Sequence, residues 1–220
     1  MCLGEDVWST LLFMQRVHYD LCGKKIKRLI FISGTFTAGE KQPLTSEGDG
    51  YWFALIRNVE PGHQYKYIIE TPDGRLLEKN DPRARAITSS DKGFSVVVDN
   101  NFDWQNDANF AMPPRQDQVI YELHVGTFNR PDAATSGTFD SAIEKLDYLR
   151  DLGINIIELM PITSMAFSNG WGYAPNHIFS VESMLGGRHG LMKFVRNNII
   201  GNKAMKANKY FLFGSSLIAK

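Results

Sequence analysis

Residues 119–161 read VIYELHVGTFNRPDAATSGTFDSAIEKLDYLRDLGINIIELMP. The segment opens on an apolar run, Val119 to Val125, rich in β-branched and aromatic residues, which is strand composition. Ser136-Gly137-Thr138-Phe139-Asp140 has the make-up of a helix entry. Phe139, Ile143, Leu146 and Leu149 then recur at helical spacing with charged residues between them. Gly153, just past Leu152, is placed to end that helix. Ile154 to Pro161 is a second short apolar run that carries Glu158 and stops at a proline. Strand, helix and strand within roughly 40 residues predict one βαβ unit, with parallel strands and a right-handed crossover.

Before this unit the rhythm is different. Ile26 to Phe36, Tyr51 to Ile56, Tyr65 to Glu70 and Phe94 to Asp99 are short runs of strand character. Turn signals separate them: Glu47-Gly48-Asp49-Gly50, Glu60-Pro61-Gly62 and Pro72-Asp73-Gly74. Residues 26–110 therefore predict an all-β sandwich. The polar, proline-bearing residues 111–118 predict a linker to a second unit over 119–195.

The two ends stand apart. Residues 1–25 carry no strand pattern that can be assigned. From Ser183 to Lys220 there is no Asp or Glu, and Glu182 is the last acid, while Arg188, Lys193, Arg196, Lys203, Lys206, Lys209 and Lys220 are all basic. Such a tail either binds something acidic or was never selected as part of the fold, as after a frameshift. The second reading is preferred, and 196–220 is expected to be an aberrant basic tail.

Composition narrows the partners. Lys plus Arg and Asp plus Glu number 24 each in 220 residues, so the formal net charge is zero. A neutral chain without a basic patch argues against nucleic acid and anionic membranes. No stretch reaches the length of a spanning helix, and no basic n-region with a cleavage site opens the chain, so the expected location is cytoplasmic. Cys2 and Cys22 offer neither a disulfide framework nor a metal site, and no cofactor or metal is expected.

Four stretches of the second half resemble the start of the catalytic barrel of glycoside hydrolase family thirteen, the α-amylase family. Val119 to Phe128 looks like the first barrel strand of its glycogen-branching and trehalose-forming members. Gly137-Thr138-Phe139 through Lys145 to Leu149 resembles the first barrel helix, and Leu152 to Pro161 the second strand. Gly170-Trp171-Gly172-Tyr173-Ala174-Pro175 is similar to the loop that follows. Residues 26–110, with Asp81-Pro82-Arg83-Ala84, resemble the immunoglobulin-like carbohydrate-binding module family forty-eight that precedes the barrel in these enzymes. The module's usual opening strand is not visible, so it is expected to lack one. The resemblance implies an immunoglobulin-like β-sandwich followed by the first βα units of an incomplete (β/α)₈ TIM barrel. It also implies an α-1,4-glucan partner: glycogen, starch or a maltooligosaccharide.

For the site, the resemblance makes Tyr173 a platform that stacks on a sugar ring, with Trp171 beside it. Catalytic residues are expected to be absent. The family's Asp-x-x-x-Asn-His strand has no counterpart, since Asn176-His177 is preceded by Gly172 at the required spacing. The nucleophilic aspartate, the glutamate acid and the late His-Asp pair are also missing. Retaining cleavage needs two carboxylates about 5–5.5 Å apart. Glu122 and Glu158 sit on two adjacent predicted barrel strands, but both lie inside those strands, so buried or bottom-facing carboxylates with partners are expected. His124 is expected to be a satisfied core histidine, and Trp52 and Trp104 core residues rather than surface sugar platforms. Three functions follow: a piece of an α-glucan enzyme, most like a branching enzyme with a trehalose-forming relative as the alternative; a non-catalytic glycan-binding module; and a non-functional truncated product.

Overall fold

The computed structural model describes residues 13–18, 29–88, 93–105, 113–165, 171–200 and 210–213. Cys2, Cys22 and the basic positions Lys203, Lys206, Lys209 and Lys220 lie outside them. The chain divides into two compact units, one comprising residues 1–88 and 92–99, the other residues 89–91 and 100–220.

The first unit is built from antiparallel strands: β1 (Phe13–His18), β2 (Leu29–Gly34), β3 (Gln42–Pro43), β4 (Thr45–Gly48), β5 (Tyr51–Ile56), β6 (Gln64–Glu70), β7 (Leu76–Lys79) and β8 (Ser95–Val96). They form two sheets, one ordered β1-β5-β4 and the other β3-β2-β6-β7, with β8 also on β6. The predicted turn at 47–50 joins β4 to β5, with positive φ at Gly48, Asp49 and Gly50. Strand alternation sends Ile30 and Ile32 of β2 and Tyr65 and Tyr67 of β6 inward, where they meet Ile56 of β5, Leu44, Val59 and Val97. Trp52 and Ala54 pack against this cluster half-buried. Each fully buried aliphatic side chain contributes on the order of 1.5–3 kcal/mol. The sequence pattern contains no strand before residue 26, yet Phe13–His18 pairs along the whole of β5, from Phe13↔Ile56 to His18↔Tyr51. The run at 94–99 is regular strand only at Ser95–Val96, and Val97 instead exchanges bonds with the loop at Gly62 and His63.

Asp81 ties the end of this unit to its sheet. The Tyr65 hydroxyl donates to Asp81 Oδ2 at 2.7 Å, the Arg83 amide donates to Oδ1 at 2.8 Å, and the Asp81 amide donates to Ser95 Oγ at 2.8 Å. Pro82 at the second position of the turn closed by Ala84 N–H on Asp81 O fixes the approach. Burial, and then the Asp81 charge, push the Tyr65 hydroxyl far above its ordinary pKa, so it stays a donor. Replacing Tyr65 by Phe leaves a buried carboxylate oxygen short of that donor. We expect a loss of about 1–3 kcal/mol in urea unfolding followed by circular dichroism.

The second unit holds β9 (Ile120–Leu123), α1 (Val125–Phe128), α2 (Phe139–Ile143), α3 (Leu146–Asp151), β10 (Ile156–Leu159), β11 (Thr163–Met165), β12 (Pro175–Val181), α4 (Gly187–Ile200) and β13 (Tyr210–Phe213). β9 and β10 are parallel, with Ile120↔Ile156, Glu122↔Glu158 and Leu123↔Leu159 level. Tyr121, Leu123, Ile157 and Leu159 face the helices, where Phe139, Ala142, Leu146, Leu149 and Phe194 complete the core. The Phe139 and Phe194 rings are fully buried, with centroids 5.8 Å apart.

The helix entry is a capping box: Thr138 Oγ1 accepts from Ser141 N–H at 3.2 Å, and Ser141 Oγ accepts from Thr138 N–H at 2.9 Å. The pattern predicts one helix from Phe139 to Leu149, but the structure breaks it at Glu144–Lys145. The Asn129 side-chain amide donates to the Ser141 carbonyl at 2.6 Å, and the Lys145 N–H bonds instead to Ala142 O, one residue nearer. Gly153, at φ 91, ends α3: its N–H bonds Arg150 O and the Ile154 N–H bonds Leu149 O, the paired closure of a Schellman end.

The sequence pattern carries no fold element past residue 195. In the structure α4 runs to Ile200 and β13 lies parallel to β10, from Ile156↔Tyr210 to Leu159↔Phe213. The sheet order is β13-β10-β9. Among the described residues no helix is long and apolar enough to cross a membrane, and no group of three or more His, Cys, Asp or Glu is placed to hold a metal. Truncating Phe139 to Ala empties the centre of the α2–α4 contact and is expected to cost about 3–5 kcal/mol in the same unfolding measurement.

Candidate functional site

The C-terminal ends of parallel strands are where barrel and open α/β folds place their ligands. In the second unit the level register of β9 and β10 brings Leu123 and Leu159 to that edge together, and the Met160 N–H donates to the Leu123 carbonyl at 3.0 Å just beyond it. Pro161 follows. Against its backbone lies Gly172, buried at φ +88; a Cβ at residue 172 would come within 2.2 Å of Pro161 O. Only glycine fits this contact, for reasons of both space and dihedral angle.

Trp171 and Tyr173 flank that glycine, 67% and 64% exposed. The Gly172 contact thus fixes the middle of the loop while both aromatic side chains stay in solvent at the edge of the sheet. Large flat side chains held open in this way present faces on which the apolar face of a sugar ring can stack.

Glu182 braces the same region from below. It is buried, its Oε2 accepts from the Met165 N–H at 3.1 Å, and its Oε1 accepts from the Met184 N–H at 3.1 Å and the Ser183 hydroxyl at 3.3 Å. Its own N–H donates to Ile162 O. The end of β11, leading into the aromatic loop, is thereby joined to the approach to α4. In sequence Glu182 stands out only as the last acid, and nothing local marks it as a brace.

His124 follows β9 at this edge. Its ring is half-buried, and its Nδ1 lies 2.9 Å from Thr127 Oγ1. Burial lowers its pKa below the usual histidine value. The core placement expected from sequence holds for only half of the ring, since its Nε2 has no hydrogen-bond partner among the described residues.

Glu122 and Glu158 sit side by side on the sheet face opposite the helices. Adjacent strands are about 4.8 Å apart, close to the separation of a retaining carboxylate pair. Both carboxylates, however, precede the strand ends, whereas barrel chemistry lies beyond them. The expected burial with partners is not found. Glu122 is exposed and Glu158 half-buried, and neither is ion-paired among the described residues. Trp104 belongs to the second unit, half-buried, with its ring edge-on to Phe102 at 4.8 Å; Arg196 and His189 of α4 also contact Phe102.

No protein-family model matches the chain. Similar proteins are nonetheless found. A malto-oligosyltrehalose trehalohydrolase of Saccharolobus solfataricus is 34% identical over 172 residues, covering 78% of this chain and 28% of the relative. The enzyme of the same name from Mycobacterium tuberculosis is 36% identical over 165 residues, 71% of this chain and 26% of its own length. A 1,4-alpha-glucan branching enzyme of Bacillus caldolyticus is 36% identical over 166 residues, again 71% of this chain and 25% of the relative. A crystallised Salmonella typhimurium protein, provisionally described as an alpha amylase, superposes with a TM-score of 0.70 at 28% identity, covering 87% of this chain and 31% of that one.

The class is that of a mostly β-strand chain with few helices, similar to a chain of the α-amylase family. Within that class, the chain is similar, over about 70% of its own length, to malto-oligosyltrehalose trehalohydrolases and 1,4-alpha-glucan branching enzymes. It spans about a quarter of the length of the curated relatives it matches.

Two outcomes test the geometry of the site. Gly172→Ala is expected to destabilise the chain by roughly 1–3 kcal/mol and to raise quencher access to Trp171 fluorescence, because the new methyl must push the loop off Pro161. His124 has a folded pKa below its unfolded value of about 6.5, so the unfolded chain binds its proton more readily. Its contribution to stability is complete above that pH and is lost as pH falls through the folded pKa. His124→Gln should flatten this part of a stability profile measured between pH 5 and 7.5.

Proposed function

We propose that this chain is the front portion of an α-glucan-active enzyme, most like a 1,4-α-glucan branching enzyme, which holds α-1,4-glucan without cleaving it. The observation that carries this reading is the Trp171–Gly172–Tyr173 loop, held over the end of β10 by the Gly172–Pro161 contact. In this reading the first unit, strand β1 included, is an immunoglobulin-like carbohydrate-binding module, and residues 119–195 of the second are the first βα units of a (β/α)₈ barrel. Trp171 and Tyr173 bind substrate, no residue of the chain is catalytic, and neither a cofactor nor a metal is needed. The expected ligand is glycogen, starch or a maltooligosaccharide, and the expected location is the cytoplasm. Homology to enzymes named for α-glucan branching and malto-oligosyltrehalose hydrolysis supports the substrate class.

A second reading is a malto-oligosyltrehalose trehalohydrolase portion, favoured by the 34% identity over 78% of the chain to an enzyme of that name. Ala174-Pro175 directly after Tyr173 supports the branching reading. Isothermal titration of the chain with maltoheptaose and with a maltooligosyl trehalose separates the two by preference.

Retardation in a glycogen-containing native gel is the direct test. The chain should be retarded, and Trp171→Ala or Tyr173→Ala should each weaken maltoheptaose binding by about tenfold, a typical effect of truncating an aromatic anchor. Amylose–iodine absorbance should not change with time. Steady turnover would overturn the assignment of no catalytic residue, and absence of retardation would overturn glucan binding.

A further inference from the structure

His124 occupies the same strand edge as the aromatic loop. It directly follows Leu123, whose carbonyl receives the Met160 N–H, and Met160 directly precedes the Pro161 on which Gly172 rests. No described interaction of the fold uses its Nε2, and its ring is held in place from two sides. Thr127 Oγ1 holds Nδ1 at 2.9 Å, while the Thr127 and Phe128 amides, which donate to the His124 carbonyl at 3.1 and 3.0 Å, fix the backbone that carries the ring. The second side is Gly126. A Cβ there would stand 3.1 Å from His124 Cε1 and 2.9 Å from Ser136 Oγ, so the absence of a side chain lets the imidazole lie close against the chain. A ring fixed at one nitrogen and bare at the other loses little freedom on meeting a ligand.

We propose that His124 is a glucan-contact residue whose Nε2 hydrogen-bonds a hydroxyl of the sugar held at the Trp171–Tyr173 loop. The proposal rests on the α-glucan reading above and adds a polar contact to its aromatic platform. The chemistry suits a sugar. If the Thr127 hydroxyl donates to Nδ1, Nε2 carries the proton and donates; if Nδ1–H donates to Thr127, Nε2 accepts. A sugar hydroxyl both donates and accepts, so either neutral tautomer bonds it. The lowered pKa keeps the ring neutral at physiological pH, which leaves both modes open. Thr127 is a positioning residue: it sets which nitrogen carries the proton and how the ring is turned.

The test uses the 220-residue chain with maltoheptaose as probe. Nitrogen NMR of the histidine side chains is recorded during the titration, beside calorimetric binding by wild type, Trp171→Ala, His124→Ala and His124→Gln. Gln can place an amide nitrogen near the position of Nε2. The expected result is a saturable shift of the His124 Nε2 resonance, a loss of roughly five- to tenfold in affinity for His124→Ala, and affinity within about twofold of wild type for His124→Gln. The NMR shift is read on the wild-type chain, so it stands even where a variant fails to fold. Normal binding by His124→Ala together with weakened binding by Trp171→Ala would overturn the role of His124 alone, as would an unmoved Nε2 resonance in a chain that binds. No binding by the wild-type chain would overturn both proposals.

Discussion

The level register of β9 on β10 governs the second unit. Parallel strands cannot be closed by a tight turn, so their alignment is fixed from outside, by the crossover and the core it packs. Phe139, Ala142, Leu146 and Leu149 bind the crossover helices to Leu123, Ile157 and Leu159. A slip of one residue would turn every one of those strand side chains to the wrong face. Because Leu123 and Leu159 finish level, Met160 can reach the Leu123 carbonyl, Pro161 emerges beside His124, and Gly172 finds a surface to rest on. The aromatic loop and the histidine share an edge because of the core that sets this register.

Sequence made this unit legible where the physics is local. Helical spacing from Phe139 to Leu149, the helix entry at Ser136–Asp140 and the glycine end at 153 are properties of neighbouring residues, and each lies where the pattern places it. The break between α2 and α3 was hidden because its cause, the Asn129 amide on the Ser141 carbonyl, comes from twelve residues away. β1 was hidden for a related reason. Phe13-Met14-Gln15-Arg16-Val17-His18 lacks clean alternation and becomes a strand only through its pairing with β5.

The site divides in the same way. Trp171 and Tyr173 could be picked out by residue type and resemblance. The reason they stand open could not, since it lies in the fit of Gly172 against Pro161, and Glu182 as a brace needs Met165 brought back to it by β11 and β12. Placement within predicted strands suggested a satisfied His124 and buried or bottom-facing Glu122 and Glu158 with partners. The histidine is satisfied on one nitrogen, and Glu122 and Glu158 are not ion-paired among the described residues.

The outer edge of β9 also has a solution consequence. β9 closes the sheet order at its end, and Val119 and Ile120 are exposed there. An outer strand with free peptide groups and bare branched side chains is a template for another chain to extend. β13 shields β10 from that fate on the opposite flank. Crowding chains together therefore invites strand-to-strand accretion through β9, and a charged side chain in place of Ile120 is the smallest change that would blunt it at this border.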